Sequence, residues 1–319
     1  MKILVWHVHA AWMTSFVQGP HEYCVPLLPD RSDDGKGRAQ TYPWPASVHE
    51  LTPAQIAVTD FDVVVLQRPQ EPALFERWTG RTLGSNGVPA VYVEHNTPRG
   101  DVNEWQHVLA ARSDIPVAHV TEFNQMAWDN GKAPTVVIAH GVPDYGGQYV
   151  GDTGSLCVAV NEPVRRWHVA GLDLVAEIAT RVPVAVYGLG AEALRGRITD
   201  GLAAVEDLSQ QALHQRMARH FAYLHPYRWT SLGLSLVEAM TLGAPVLVNG
   251  STAAYEAVPP AAGVVSTNPE RLAGTARRWL ADPDEARQVG RAAREHALRT
   301  FGLLRFLDDW DRLLKEVAR

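Results

Sequence analysis

The 319-residue sequence predicts an α/β protein made of two Rossmann-like, doubly wound parallel-sheet domains facing a cleft. Short apolar segments with the length of buried strands alternate with helical segments along the chain, as is typical of parallel sheets. A segment with four glycines, residues 144–154, interrupts this alternation, and the same pattern then begins again. The chain is also long enough that two domains are favoured over one.

The first domain is predicted to span residues 1–150. Thr52 followed by Pro53 is typical of a helix start. The Pro-, Gly- and Asp-rich segment 29–47 predicts a long surface loop, and residues 7–12 predict a shorter one. The predicted strands are 3–8, 61–66, 88–93, 116–120 and 136–138, and the predicted helices are 51–58, 72–78, 102–112 and 122–128.

The second domain is predicted to span residues 151–302. An amphipathic helix, residues 303–317, follows it, and we expect this segment to pack back on the N-terminal domain. The predicted strands are 156–160, 182–187, 221–224 and 246–248, and the predicted helices are 172–180, 210–219, 231–242, 269–280 and 285–298.

Composition excludes several classes of protein. The net charge of −6 comes without a basic face or tail, which argues against nucleic acid as the main partner. Cys24 and Cys157 are the only cysteines and lie far apart, so neither a disulfide framework nor a zinc site is predicted. No apolar run is long enough to span a bilayer, and the first residues are too quickly polar for a signal peptide. We expect a cytoplasmic protein, of unknown oligomeric state.

The segment 225–240 carries the strongest functional pattern. It follows a predicted buried strand and opens a helix that we expect to begin near Ser231, a favourable N-cap residue. Gly233 in the first turn would let a ligand approach the backbone closely. Unpaired N–H groups and the helix dipole make such an end suitable for an anion such as a diphosphate. Glu238 lies two turns into an otherwise apolar helix, where its carboxylate needs a partner or a ligand.

Other polar loops follow predicted strands at the same end of the sheets, where open α/β sheets bind ligands. We therefore expect these loops to converge on one cleft. Trp12 and Trp44, in predicted loops, are candidates for stacking on a sugar ring. The polar loops contain His9, His95, Arg165, Arg166 and the Gly188–Gly190 turn.

The segment 227–248 resembles the signature of the retaining glycosyltransferases of family 4, which have the GT-B fold. The resemblance implies that Glu238 holds the nucleotide ribose and that the backbone of Ser231, Leu232, Gly233 and Leu234 cradles the donor phosphates. Thr230 stands where the family has a first glutamate, eight positions earlier (238 − 230 = 8). This departure affects recognition of the donor sugar.

The resemblance extends to four other positions. Arg165 and Arg166 follow a strand where the family places a basic pair on the diphosphate, but the spacing differs, so either could act. Gly188 opens a Gly-x-Gly turn like that of the family. His95 falls where relatives present a histidine to the donor sugar, and the segment 7–11, with His9, replaces a glycine-rich loop. We assign His9 and Trp12 to the acceptor side.

The activity implied is transfer of a sugar from a nucleotide-diphosphate-sugar to an acceptor hydroxyl with retention of anomeric configuration. Stabilisation of the departing diphosphate should dominate catalysis. A charge-assisted hydrogen bond contributes about 1.5–3 kcal/mol and a helix end about 0.3–2 kcal/mol, so an arginine should outweigh the dipole. We expect no cofactor and no obligatory metal ion, and no nucleophile motif is apparent.

Two other functions fit the same residues. A sugar-nucleotide epimerase on this fold would convert the donor without an acceptor. A non-catalytic nucleotide-sugar binding protein would fit Thr230 and the missing glycine-rich loop. The sequence does not identify the acceptor, the donor base or the donor sugar.

Overall fold

A computed structural model of the protein describes residues 1–40, 42–198, 201–205 and 208–319, without the side chains of residues 204 and 205. The chain divides into two compact units by its internal contacts. Unit 1 consists of Met1–Pro143 and Leu303–Arg319, and unit 2 consists of Asp144–Gly302.

Unit 1 contains a seven-stranded parallel sheet with strand order β3-β2-β1-β4-β5-β6-β7. Its strands are β1 (Lys2–Val5), β2 (Glu22–Pro26), β3 (Val48–Leu51), β4 (Val63–Leu66), β5 (Ala90–Glu94), β6 (Val117–His119) and β7 (Thr135–Val137). Its helices are α1 (Ala10–Phe16), α2 (Pro53–Val58), α3 (Glu71–Thr79), α4 (Glu122–Ala127) and the C-terminal α11 (Leu303–Val317).

Unit 2 contains a six-stranded parallel sheet with strand order β10-β9-β8-β11-β12-β13. Its strands are β8 (Thr153–Ala159), β9 (Val184–Tyr187), β10 (Leu202–Val205), β11 (His220–His225), β12 (Val246–Asn249) and β13 (Gly263–Ser266). Its helices are α5 (Leu172–Ala179), α6 (Gln210–Arg219), α7 (Leu234–Leu242), α8 (Ala254–Ala257), α9 (Pro269–Ala281) and α10 (Pro283–Phe301).

The predicted fold class, two α/β domains with doubly wound parallel sheets, is confirmed. Strands that are covered on both faces read as continuous apolar runs rather than as alternating patterns. All four residues of β4 and all six of β11 are buried, which is why these segments were recognisable. The start of α2 is also as predicted. Thr52 is the N-cap residue, Pro53 is the first helical residue, and Thr52 forms a reciprocal capping box with Gln55.

Two predictions for unit 1 are wrong. Residues from Ala10 onward form α1 instead of a loop. The predicted helix 102–112 is reduced to one turn of 3₁₀ helix at Val102–Glu104. Beyond that turn the backbone pairs with a distant segment, because His107 N donates to Asp129 O at 2.9 Å and Asp129 N donates to Trp105 O at 2.8 Å. These long-range bonds use the groups that a helix would need.

The segment 29–47, of which residue 41 lies outside the described residues, is tied to unit 1 by Arg38. Its guanidinium donates to the carbonyls of Trp44 (2.7 Å), Pro45 (3.0 Å) and Val48. The Trp44 side chain is only 6% exposed, and its Nε1 donates to Thr14 Oγ1 at 3.0 Å. Trp44 therefore contributes to the core of unit 1 rather than to an open surface.

Helix α11 belongs to unit 1 although it is last in the sequence. Phe306 and Trp310 on this helix are buried and make edge contacts with Trp12 on α1. Residues 144–150 belong to unit 2, where Tyr149 Oη donates to Phe221 O at 2.7 Å. Among the described residues, no helix combines the length and the apolar character that a membrane span requires.

Candidate functional site

Helix α7 of unit 2 begins later than predicted. Its N-cap is Gly233 in an extended conformation, and Leu234 is the first helical residue, whereas we predicted a start near Ser231. No side chain caps this end of the helix. The first N–H groups of a helix have no acceptor four residues earlier, which suits such an end to an anion. At this end of α7, Leu236 N donates to Gly233 O at 3.0 Å.

The late start follows from how the preceding loop packs. A Cβ on Gly233 would lie 2.4 Å from Cε1 of His225, so the N-cap rests directly on the imidazole. His225 is the last residue of β11 and is only 4% exposed. The φ of −74° would suit any residue, so the backbone conformation does not require glycine here. The contact with His225 does, because a side chain at this position would collide with the ring.

Arg166 reaches the same edge of the sheet. Its guanidinium carbon lies 5.3 Å from the centre of the Tyr227 ring, and that ring lies 4.7 Å from the ring of His225. Arginine, tyrosine, histidine and the N-cap glycine thus form one continuous stack within unit 2. The partly buried Arg166 lies at one end of this stack and Gly233, the N-cap of α7, lies at the other, with the two rings between them.

Arg165 is placed differently from its neighbour. Its guanidinium pairs with the Glu162 carboxylate, with Nε at 3.0 Å from Oε2, and its side chain is 69% exposed. This pairing lowers the pKa of Glu162. The structure therefore separates the two arginines that the sequence left equivalent.

Arg228 serves to join loops. Its guanidinium donates to both oxygens of Asp173, at 2.5 and 2.8 Å, and to the carbonyl of His168 at 3.1 Å. This bidentate pair ties the loop after β11 to the start of α5. These contacts give Arg228 a structural role.

Gly188 lies where the loops after β8 and β9 meet. Its φ is +138°, and a Cβ would lie 2.3 Å from the carbonyl oxygen of Val160. Leu189 N donates to Asn161 Oδ1 at 3.0 Å, and Glu162 N donates to Leu189 O at 2.7 Å. The Gly-x-Gly turn thereby supports the loop that carries Arg166.

Glu238 is buried on α7 and held by α6. Its Oε1 accepts a hydrogen bond from Gln210 Nε2 at 3.1 Å, and its Oε2 lies 3.4 Å from His214 Nε2. Tyr145 packs on the His214 ring at 4.3 Å and accepts a second bond from Gln210 Nε2 at 3.2 Å. The carboxylate is therefore oriented by an amide donor, with an imidazole beside it.

The loop after β12 also borders this region, and it was not among the segments predicted from the sequence. Ser251 Oγ donates to Tyr227 O at 2.7 Å, and Thr252 adopts a positive φ of 47°. The sequence feature that could have identified this loop is the polar segment 249–252 directly after an apolar strand. A small cavity lies between the loops after β11 and β12, lined by His225, Thr230, Ser231, Leu232, Leu236, Ser251, Thr252 and Ala254.

In unit 1 the structure brings together the predicted His9, Trp12 and His95. The ring centres of His9 and His95 are 4.2 Å apart, and the Trp12 ring meets His95 edge-on at 5.0 Å. Trp12 is 1% exposed, so it supports His95 from within the core. Gln67 was not predicted from the sequence; its Oε1 lies 3.0 Å from Nε2 of His95. The signal was a polar residue immediately after the predicted strand 61–66.

Burial lowers the pKa values of three histidines near the candidate site residues, His9, His95 and His225. Desolvation lowers the pKa of His9 to about 4 and that of His225 to about 3. The pKa of His95 is also far below its usual value, first because of burial and then because of the neighbouring His9 and His140. These rings can accept one hydrogen bond and donate one at neutral pH.

These shifts predict that the protein loses stability as the pH falls from 7 to 5. The folded-state pKa values of His119 and His225 are about 4 and about 3, below the unfolded value of about 6.5. The unfolded chain therefore binds more protons in this range, and the free energy of unfolding decreases by about 2 kcal/mol per buried histidine. Denaturant titrations at pH 7 and pH 5 measure the change, and equal stabilities would contradict it.

Neither cysteine is suited to act as a nucleophile. Cys24 and Cys157 are both free and buried. Burial raises the pKa of Cys24 to about 11 and raises that of Cys157 further, so neither is a thiolate at neutral pH. Within the described part of the chain, no group of three or more His, Cys, Asp or Glu side chains could hold a metal ion.

In a comparison with known families, residues 165–308 match a family model described as glycosyl transferase-like. None of the curated protein sequences compared with the chain matches it. The matched region includes α7 and the loop that carries Arg165 and Arg166.

Solved glycosyltransferase structures are similar over nearly the whole chain. Sucrose-phosphate synthase from Thermosynechococcus elongatus is 12% identical with a TM-score of 0.76, covering 99% of both chains. Anabaena HepE in complex with UDP is 16% identical with a TM-score of 0.70, covering 99% of this chain and 100% of that one. A glycosyltransferase from Rickettsia africae is 12% identical with a TM-score of 0.68, covering 100% and 98%. These similarities show the GT-B fold.

Proposed function

We propose that the protein is a retaining glycosyltransferase that uses a nucleotide-diphosphate-sugar. The observation that carries the proposal is the uncapped amino end of α7 lying at one end of the stack of His225, Tyr227 and Arg166. Backbone donors and a guanidinium at one edge of a sheet are suited to a diphosphate. The proposal is supported by the match to the glycosyl transferase-like family model, because the matched residues 165–308 include this stack and the start of α7.

In this proposal Arg166 and the first turn of α7 stabilise the negative charge that develops on the leaving diphosphate. Arg166 is the residue of the pair assigned to this role, because Arg165 already pairs with Glu162. The backbone of Ser231, Leu232, Gly233 and Leu234 lies at the end of the helix where the phosphates would bind. An arginine bond of about 1.5–3 kcal/mol exceeds the contribution of the helix end.

Glu238 is proposed to accept hydrogen bonds from the ribose hydroxyls. Its carboxylate is buried, accepts a hydrogen bond from Gln210 and lies 3.4 Å from His214 Nε2, so it is already oriented before a ligand arrives. Each carboxylate oxygen has further acceptor capacity beyond these contacts. Thr230, in the place of the family's first glutamate, offers the donor sugar one hydroxyl instead of a carboxylate.

The histidines of unit 1 are proposed to contact sugar hydroxyls, His95 on the donor and His9 on the acceptor side. Both rings are neutral, so they can bind hydroxyls without adding charge. Trp12 positions His95. We further propose that the leaving phosphate takes the acceptor proton, which requires no protein nucleophile, cofactor or obligatory metal ion.

The proposal is tested by screening nucleoside diphosphates and their sugars for thermal stabilisation, starting with uridine diphosphate. A ligand that binds only the native state raises the melting temperature. Donors that bind are then incubated with an acceptor panel, and proton NMR of the product reports the anomeric configuration. An inverted product would refute retention.

Control incubations with the donor alone separate the alternatives. Formation of an isomeric donor would identify an epimerase. Stabilisation without transfer or hydrolysis would favour a non-catalytic binding protein, which Thr230 in place of a glutamate makes the second candidate.

Glu238→Ala is expected to weaken binding of the nucleoside diphosphate about 10- to 100-fold, because hydrogen bonds to a charged group are lost. Calorimetric titration measures the effect. The 2′,3′-dideoxy analogue provides the matched control, since it cannot use the carboxylate and should bind both proteins with similar affinity. Equal weakening of both ligands would place Glu238 outside the ribose site.

A further inference from the structure

Arg228, in the loop after β11, is tied to the segment after β8 by four hydrogen bonds. Its guanidinium donates to both carboxylate oxygens of Asp173, at 2.5 and 2.8 Å, and to the carbonyl of His168 at 3.1 Å. Its backbone N–H donates to Val169 O at 2.9 Å. A bidentate pair of arginine and carboxylate fixes orientation as well as distance. These bonds therefore hold the two residues before α5 and its first turn in one place relative to Arg228.

The segment that Arg228 holds is the one that carries Arg166. Arg166 N donates to Glu162 O at 3.0 Å, and Ala170 N donates to Arg166 O at 2.7 Å, so Arg166 joins two successive helical turns. Residues 168–169, whose carbonyls Arg228 binds, lie within the second of these turns. Fixing these carbonyls therefore fixes the backbone of the turn that begins at Arg166.

The loops after β8 and β11 also touch on either side of this tie. Gly171 has a φ of +72°, and a Cβ there would lie 2.0 Å from Pro226 O, so the two backbones meet with no room for a side chain. The guanidinium carbon of Arg166 lies 5.3 Å from the centre of the Tyr227 ring. Two consecutive residues thus hold the same arginine, because Tyr227 supports its side chain and Arg228 supports its backbone.

Arg166 differs from the two other arginines of these loops in forming no ion pair with any of the described residues. Arg165 pairs with Glu162, and Arg228 pairs with Asp173. The side chains of Arg228 and Asp173 are 32% and 42% exposed, and ion pairs this exposed contribute little to stability. The effect of this pair should therefore be on the geometry of the loop rather than on the stability of the fold.

We propose that Arg228 and Asp173 are positioning residues that hold Arg166 on the face of Tyr227, in the orientation in which it meets the diphosphate. This inference rests on the proposed function for the identity of the ligand. It deepens that function by adding two residues that act through Arg166. A guanidinium that is fixed in advance stabilises the charge of the leaving group without reorganising during the reaction. Loss of the tie should therefore lower kcat more than it raises KM for the donor.

The placement of Arg166 can be observed by NMR in the full chain labelled with ¹³C-arginine. The Tyr227 ring current shifts the side-chain protons of an arginine that lies on its face, and loss of a signal in Arg166→Lys assigns the residue. We expect this signal to move toward that of an exposed arginine in Arg228→Ala. Asp173→Asn removes the charge at constant size and should give the same change, so it replaces the first variant if that one folds poorly. An Arg166 signal that stays unchanged in the folded variants would overturn the proposal.

Steady-state kinetics give the second measurement, with Arg219→Ala as the matched control. Arg219 binds both carboxylate oxygens of Asp152, at 3.0 and 2.9 Å, and precedes β11, whereas Arg228 follows that strand. We expect Arg228→Ala and Asp173→Asn to lower kcat about tenfold, less than the 10²-fold typical of a displacement of about 1 Å. KM for the donor should change less than about threefold, and Arg219→Ala should stay within about twofold in both parameters.

A double variant separates positioning from direct contact with the ligand. If Arg228 acts through Arg166, Arg228→Ala should cause little further loss in a protein that already carries Arg166→Ala. Additive losses, or a raised KM with an unchanged kcat, would show that Arg228 acts on the ligand itself and would refute the positioning role. A protein that shows no transfer, but whose Arg166 signal moves in Arg228→Ala, would refute the proposed function and leave the positioning of Arg166 standing.

Discussion

Replacing Arg166 by alanine is expected to lower kcat/KM for sugar transfer about 10²- to 10³-fold, the range observed when one donor to a developing negative charge is removed. The guanidinium stacks on Tyr227 and is partly buried, so its orientation is set before a ligand binds. Such a preorganised charge loses little free energy to reorientation during the reaction.

Arg165→Ala provides the matched control, because it removes the same charge one residue away. Arg165 is exposed and pairs with Glu162, and an exposed ion pair contributes little to stability. Steady-state kinetics on both variants should therefore show a large loss for Arg166 and a change within about threefold for Arg165. The opposite ranking would move the diphosphate contact to Arg165.

Gly233→Ala is expected to lower the rate of transfer about 10²-fold, a typical consequence of a displacement of about 1 Å at a reacting group. The added Cβ would meet the His225 ring at 2.4 Å, so either the ring or the amino end of α7 must move. Overpacking of this kind also costs about 1–3 kcal/mol of stability. Kinetics and chemical denaturation measure the two effects separately.

The double variant Gly233→Ala with His225→Ala identifies the cause. Removing the imidazole makes room for the new methyl group, so the double variant should be less impaired than the sum of the single changes. Gly274→Ala is the control for a general effect of glycine replacement. No atom lies within 3.9 Å of its added Cβ, and this substitution inside α9 should stabilise the protein by about 0.5–1 kcal/mol. Additive losses in the double variant would contradict a steric origin.

The local pattern of apolar residues was sufficient to predict most elements of unit 2. In unit 1, the final helix was predicted at the residues where α11 occurs, because a sustained amphipathic pattern identifies a helix whatever it packs against. Strands β2 and β3 escaped prediction, and both lie toward one edge of the sheet of unit 1. They flank the polar segment 29–47, whose composition obscured the short strands on either side.

Residue type, rather than conformation, identified the candidate site residues in the sequence. Glu238, Gly233 and His95 stood out because a carboxylate in an apolar helix, a glycine in a first turn and a polar residue after a buried strand each require an explanation. Gln67 gave the same signal after β4 and was overlooked. Its importance depends on Trp6 and His95, which lie far away in the sequence.

The sequence by itself determined the alternation of strands and helices, the two parallel sheets and the apolar helix with its single glutamate. These properties follow from which side chains are apolar and how they are spaced. Only the tertiary structure decided that α7 begins after Gly233, that Arg166 rather than Arg165 stacks on Tyr227, and that Trp12 lies behind His95. Each of these depends on contacts between loops that different strands bring to the same edge, and such contacts leave no local pattern in the chain.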